Sequence, residues 1–106
     1  MENKINRKLF LGFINIHILY HAKYDSFFGT WMIEELKRHG YQISAGTLYP
    51  ILHSLEKESL IISESRKVDG KIRKYYAITP LGEEALNEAR AAARELFSET
   101  REDAPS

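Results

Sequence analysis

Residues 44–79, SAGTLYPILHSLEKESLIISESRKVDGKIRKYYAIT, leave the chain few ways to fold. Leu48, Ile51, Leu52 and Leu55 recur at three- and four-residue spacing, which gathers them on one side of a helix from Ala45 to about Glu58. Thr47, Tyr49, Pro50, His53, Ser54 and Lys57 fall mainly on its other faces. Pro50 lacks an amide hydrogen, so it is expected in a first turn, with the regular helix starting near Thr47 and Ser44 or Thr47 as its cap. An apolar strand from Leu60 to Arg66 follows, then a turn centred on Asp69-Gly70, then a second strand from Ile72 to Thr79.

With Asp69 and Gly70 central, Val68 faces Lys71, Arg66 faces Arg73 and Glu64 faces Tyr75. The tip RKVDGKIRK carries Arg66, Lys67, Lys71, Arg73 and Lys74 against one acid, Asp69. Arg66 opposite Arg73 places like charges across a ladder, which is unfavourable without an anion nearby. Phosphate is the natural anion for such a tip. The plainer account is an edge hairpin guarded against aggregation by its lysines. A short helix leading directly into a basic hairpin is the core of a winged helix-turn-helix, which favours the phosphate account. The expected fold is mainly α with a small β-hairpin: a winged helix-turn-helix plus a C-terminal dimerisation helix.

GTLYPILHSLEKESLI and RKYYAITPLGEEAL together resemble the PadR-like transcriptional regulators. Gly46, Thr47, Leu48, Tyr49, Pro50, Leu52, Leu55, Glu56, Leu60 and Ile61 match the first part of that family's pattern. Arg73, Lys74, Tyr75, Tyr76, Ile78, Thr79 and Gly82 match the second, and the likeness spans about residues 9 to 90. Ser59 departs from it, standing where the family usually has glycine at a helix C-terminus. The family's Gly-Tyr reads Gly29-Thr30 here, with Trp31 following. The resemblance implies a repressor whose dimer geometry responds to a small-molecule effector. Some members sandwich flat ligands between aromatic residues of the last helix, where this chain has mainly alanines and a late Phe97.

Net charge is zero but unevenly spread: residues 1–80 carry +4 and residues 81–106 carry −4. A basic body with an acidic tail segment can bind DNA on one side. The absence of cysteine removes disulfides and thiolate chemistry and fits a cytoplasmic location. No stretch is long and apolar enough to span a membrane. No nucleophile elbow, phosphate loop or metal motif is present, so an enzyme is not expected, nor is a cofactor.

Asn6 is a candidate cap for a first helix from Arg7 to about His21, apolar on nearly every side. A chain this short cannot easily surround such a helix, so a second copy is expected to cover it. His17 and His21 have the spacing of two metal ligands on one helix face. With no third ligand in a motif they read as core or interface histidines, and no metal is assigned. Ser26 is a candidate cap for a second helix through about His39, with Phe28, Met32, Ile33 and Leu36 inward and Glu34, Glu35, Lys37 and Arg38 solvated. Trp31 lies off that stripe and either packs at the domain edge or lines an effector pocket. Thr79-Pro80 opens a last helix to about Thr100. Nothing else in the chain needs its stripe of Leu81, Ala85, Leu86, Ala89, Ala92, Ala93, Leu96 and Phe97, whose small residues allow close approach of another helix, so a partner subunit is expected to cover it.

The organisation is therefore residues 1–79 as the DNA-binding domain, 80–101 as the dimerisation helix and 102–106 as a flexible tail. Ser44, Thr47, Tyr49, Pro50, His53, Ser54 and Lys57, with the five basic wing residues, are the expected contacts to double-stranded DNA. Phe10, Phe13, Ile14, His17, Leu86, Ala89, Ala93, Leu96 and Phe97 are the expected homodimer contacts. The alternative is a winged-helix module that binds protein without tight DNA binding.

Overall fold

The computed structural model describes residues 4–102, with side chains from residue 8 onward; most of the tail expected at 102–106 lies outside that range. The elements run α1 (Lys4–Tyr24), β1 (Phe27–Phe28), α2 (Gly29–Arg38), α3 (Ala45–Lys57), β2 (Ile61–Val68), β3 (Lys71–Ile78) and α4 (Pro80–Glu99). The strands form one antiparallel sheet in the order β1-β3-β2. One core joins all the layers: Ile14 and Ile18 of α1, Met32 and Leu36 of α2, Leu48 and Leu52 of α3, Ile61 of β2 and Leu86 of α4 are fully buried together.

The hairpin has the expected register, with Val68 opposite Lys71, Arg66 opposite Arg73 and Glu64 opposite Tyr75. Asp69 and Gly70 both have positive φ, 51° and 78°, as a two-residue turn of this kind requires. The third strand was not expected. Phe27 pairs with Tyr76 and Phe28 with Tyr75, so the segment assigned to the start of α2 is an edge strand. Ser26 is therefore not a helix cap; Phe28 takes that position with extended backbone, and α2 starts at Gly29. Asn6 likewise lies inside α1, which begins at Lys4 and continues to Tyr24.

α3 begins at Ala45, with Ser44 as N-cap and Thr47 already helical. The Ser44 carbonyl accepts from the amides of Thr47 and Leu48 (3.0 and 2.9 Å), while its side chain makes no capping bond. Pro50 consequently sits in the second turn rather than the first, where its missing amide removes the bond that Gly46 would otherwise accept. Pro50 and Gly46 share an exposed groove with Leu11 and Asn15 of α1, open to solvent.

Two helices end in the same motif with different residues. Gly40 follows α2 at φ +91°, and Tyr41 donates back to Leu36. Ser59 follows α3 at φ +64°, donates to Glu56, and is followed by Leu60 donating to Leu55. That is the bond pattern of a glycine-type helix stop, built here on serine. α4 is capped as its sequence indicates: Thr79 Oγ1 accepts from the Gly82 amide at 3.0 Å, and Pro80 occupies the first turn. Gly82 lies so close to the Leu60 carbonyl that a Cβ there would overlap it, which fixes α4 against the start of β2.

The last helix does have a partner within its own chain. It packs along α1, with Leu86 fully buried and Ala85, Ala89 and Ala93 half-buried. α1 in turn sinks Ile14, Ile18, Leu19 and Ala22 into the chain's own core. The expectation that neither helix could be satisfied internally is thus corrected, and Ile14 and Leu86 are core residues of one chain rather than interface residues. What stays uncovered is the remainder: Leu9, Phe13, Tyr20 and Tyr24 on α1, and Leu81, Leu96 and Phe97 on α4. The radius of gyration is 15.4 Å, against about 13 Å for a compact domain of this length.

Candidate nucleic-acid interface

α3 divides cleanly between core and solvent. Leu48, Leu52 and Leu55 are buried and Ile51 is half-buried. Ser44, Tyr49, Pro50, His53, Ser54 and Lys57 are exposed, and Thr47 is half-buried. The residues expected to meet DNA therefore occupy one accessible helical surface that ends in the turn before α3.

Tyr49 is held from one side. Its hydroxyl end rests on Gly29, where a Cβ would overlap it, and the two share a shallow recess with Phe28, Arg73, Lys74 and Tyr76. Tyr49 is still 42% exposed, so the ring bridges the first turn of α2 and the wing without being buried. Gly29 thus has a packing reason to lack a side chain, and that reason lies on α3.

The wing presents two faces, since successive residues of a strand point oppositely. Lys67, Ile72 and Lys74 lie on the face that turns toward α3, in line with Ser63, Tyr76 and Ile61. Ser63 donates to Glu56 of α3 (2.5 Å), and Lys74 Nζ reaches the same carboxylate at 3.9 Å. Arg66, Lys71 and Arg73 lie on the other face.

The cross-strand pair of arginines does not face an unrelieved repulsion. Arg66 turns to Glu64 (2.7 Å) and over the Tyr75 ring (4.5 Å). Arg73 lies over the Phe28 ring at 4.3 Å. Each guanidinium has an aromatic platform, and Arg66 has a carboxylate as well, so the pairing by itself does not demand an anion. The five basic groups remain on the hairpin toward its exposed tip, where Glu64 engages Arg66, Glu56 stands 3.9 Å from Lys74, and Asp69 is the one acid of the turn itself.

A second polar cluster lies away from α3 and the wing. Glu35, expected to be solvated, is buried: Arg38 Nε and Nη2 each donate to it at 3.0 Å, and His39 Nε2 and His21 Nε2 stand 3.0 and 3.3 Å from its Oε2. The Arg38 hydrogen bonds, with a further contribution from His39, hold its carboxyl down to about 2. His17 and His21 are both held below the usual imidazole value, chiefly by burial. The helical pattern of α2 gave no sign of this, because the partners that bury Glu35 come from α1 and from the helix end. Trp31 is 41% exposed; it packs on Phe27 and meets His21 edge-on, at the rim of the domain.

Comparison with known proteins agrees with this architecture. Residues 18–88 match the model of the transcriptional regulator PadR-like family. The chain is 50% identical over 86 residues to Transcriptional regulator Rv3488 of Mycobacterium tuberculosis (strain ATCC 25618 / H37Rv), covering 81% of this chain and 80% of that protein. Among solved structures it superposes on a PadR family transcriptional regulator from Eggerthella lenta DSM 2243 with a TM-score of 0.80 at 31% identity, over 89% of this chain and 83% of that one. A PadR-like transcriptional regulator from Bacillus cereus strain ATCC 14579 gives 0.79 at 30% identity, over 86% and 90%.

Proposed function

The chain belongs to the PadR-like family of transcriptional regulators, and on that premise we propose that it is a dimeric, sequence-specific DNA-binding repressor. Members of this family are regulators rather than enzymes. The observation that carries the reading is the division of α3: its leucines are sunk in the core while Thr47, Tyr49, Pro50, His53 and Ser54 lie outward beside a basic-tipped wing. In this reading the exposed residues of α3 approach base edges in a major groove, and Arg66, Lys67, Lys71, Arg73 and Lys74 hold backbone phosphates.

The exposed apolar residues left on α1 and α4 support a two-fold dimer built on those helices. Phe13, Leu96 and Phe97 are its contacts, with Phe10, His17, Ala89 and Ala93 beside them. Such a dimer would set two copies of α3 about one DNA turn, roughly 34 Å, apart. A small-molecule effector has a place to enter in the open cleft of about 410 Å³ between α1 and α4, where Phe13, Tyr20, Tyr41 and Leu86 are wall residues. None of the described helices is long and apolar enough to cross a membrane, and a regulator that binds DNA would act in the cytoplasm.

Selection of binding sites from random duplexes, followed by titration of the selected site at several salt concentrations, tests the proposal. We expect a two-fold related motif and a steep fall of affinity with salt. Failure to enrich any sequence, with weak and salt-insensitive binding, would leave the protein-interaction module as the better reading.

A further inference from the structure

Three of the chain's four histidines meet in one place. His17 and His21 stand one turn apart on α1, and His39 is the C-cap residue of α2. The ring centroids of His17 and His39 are 4.7 Å apart, those of His17 and His21 6.4 Å, and those of His21 and His39 6.3 Å. One potential ligand nitrogen from each ring lies within 4.8 Å of the other two. The sequence shows only the pair on α1; the fold supplies the third ligand from 18 residues further along the chain.

We propose that His17, His21 and His39 form a binding site for a divalent transition-metal ion of the zinc type. Imidazole nitrogen suits zinc, copper, nickel and cobalt, whereas calcium and magnesium want oxygen. A tetrahedral ion with bonds near 2.0–2.1 Å keeps its donors roughly 3.3 Å apart, so ring nitrogens already within 4.8 Å of one another need only a small side-chain adjustment to close on it. Three protein ligands leave a fourth position, which opens into the cleft lined by Phe13, Tyr20 and Tyr41.

The surroundings suit a cation. Glu35, whose charge is shared with Arg38, contacts two of the three rings, as carboxylates do behind metal-bound histidines. Arg38 is already engaged by Glu35, and Arg90, which reaches the cleft from α4, is exposed to water. The His39 side chain is 40% exposed, which provides an entry path. None of the three histidines belongs to α3 or to the wing, so DNA reading gives them no task.

The site is tested on the full chain, free of any affinity tag, by titration with Co²⁺ and then Zn²⁺. We expect one ion per chain, a visible absorption band of low-coordinate cobalt, and its loss as zinc displaces cobalt. Zinc at a hundred times its Kd is expected to raise Tm by at least about 5 °C. His39→Ala and His17→Ala are each expected to weaken binding by roughly 100-fold or more, since removing even a group that only hydrogen-bonds to a metal ligand costs about 10–100-fold. His53→Ala, the exposed histidine of α3, is expected to leave it unchanged. Circular dichroism reports whether each variant is folded, and His39→Gln replaces His39→Ala if the latter is not. Absence of stoichiometric binding to the wild-type chain, or wild-type affinity in a folded His17/His39 double variant, overturns the site. These readouts are of the ion alone, so they stand or fall separately from the DNA-binding proposal.

Discussion

Thr79 Oγ1 donates to the carbonyl oxygen of Ser59, joining the N-cap of α4 to the residue that stops α3. The Thr79 amide donates to Leu60 in the same place, at 3.1 Å. The end of the proposed recognition helix and the start of the proposed dimer helix are therefore one joint. The start of α4 is thus tied to the end of α3 by two hydrogen bonds and the close approach of Gly82 to Leu60, with no residue of the hairpin tip between them.

That joint contains a residue in an unfavourable conformation. Ser59 has φ +64°, where a Cβ costs about 1–2 kcal/mol. Ser59→Gly relieves it, less what glycine loses in backbone freedom. We expect a net gain of about 0.5–1 kcal/mol, which thermal unfolding at fixed protein concentration would register as a Tm higher by several degrees. An unchanged or lower Tm would mean that the Ser59 side chain contributes something the backbone geometry does not reveal.

The contact between Gly29 and Tyr49 makes a coupled pair. Gly29→Ala forces the Tyr49 ring outward, and because the ring is only half-covered the fold can tolerate this. A double-mutant cycle with Tyr49→Ala is expected to show Gly29→Ala costing less once the ring is gone, by at least about 0.5 kcal/mol. Strict additivity would mean that the ring does not rest on Gly29 in solution.

What the sequence disclosed, and what it withheld, separates by range. The leucines of α3, the Asp69-Gly70 turn and the Thr79-Pro80 start of α4 are all signalled within a few residues, and each lies where its pattern puts it. β1 is two residues long and exists only because β3 offers Tyr75 and Tyr76 to Phe28 and Phe27, a pairing with no local trace. Glu35 looked solvated because helical periodicity knows nothing of His21. His39 escaped notice as a third imidazole for the same reason. Pro50 misled in the opposite direction: its propensity for a first turn is real, yet the chain forms another turn before it and forgoes one hydrogen bond.

Wing charge is best tested at Lys71, which sits at the tip beside the turn. Lys71→Ala is expected to weaken binding to all sequences alike and to reduce the salt slope by about one unit for each phosphate left unneutralised, hence about two if both wings of a dimer engage. Arg73→Ala should show the same slope change with an added loss of stability, because Arg73 also covers the Phe28 ring. Slopes unchanged in both variants would remove the wing from the DNA-facing surface.

His53 and Ser54 are exposed and lie off the buried leucine stripe, so their loss should hardly touch stability. His53→Ala or Ser54→Ala is expected instead to relax preference at particular base pairs, by about 1–3 kcal/mol for each contact that is real. Sequencing of DNA selected by each variant decides it. Sites identical to those of the wild type would mean that neither residue reads bases.

Assembly gives the sharpest test, because the fold narrows the surface available for it. Leu86 and Ile14 already serve the core of one chain, so substituting them would unfold the protein whether or not it dimerises. Leu96 is 52% exposed near the C-terminal end of α4, away from the fully buried Leu86. Leu96→Glu should therefore leave the single-chain core intact while placing two charges in a two-fold interface. We expect sedimentation to shift from dimer toward monomer, the concentration dependence of Tm to vanish, and tight DNA binding to disappear, although α3 and the wing are untouched. Phe97→Ala should have a smaller effect, since it lies nearer the end of the helix and removes an apolar group without introducing a charge. A wild-type chain that sediments as a folded monomer and still binds its selected site tightly would end the dimer argument. It would also leave the exposed apolar residues of α1 and α4 in need of a different partner.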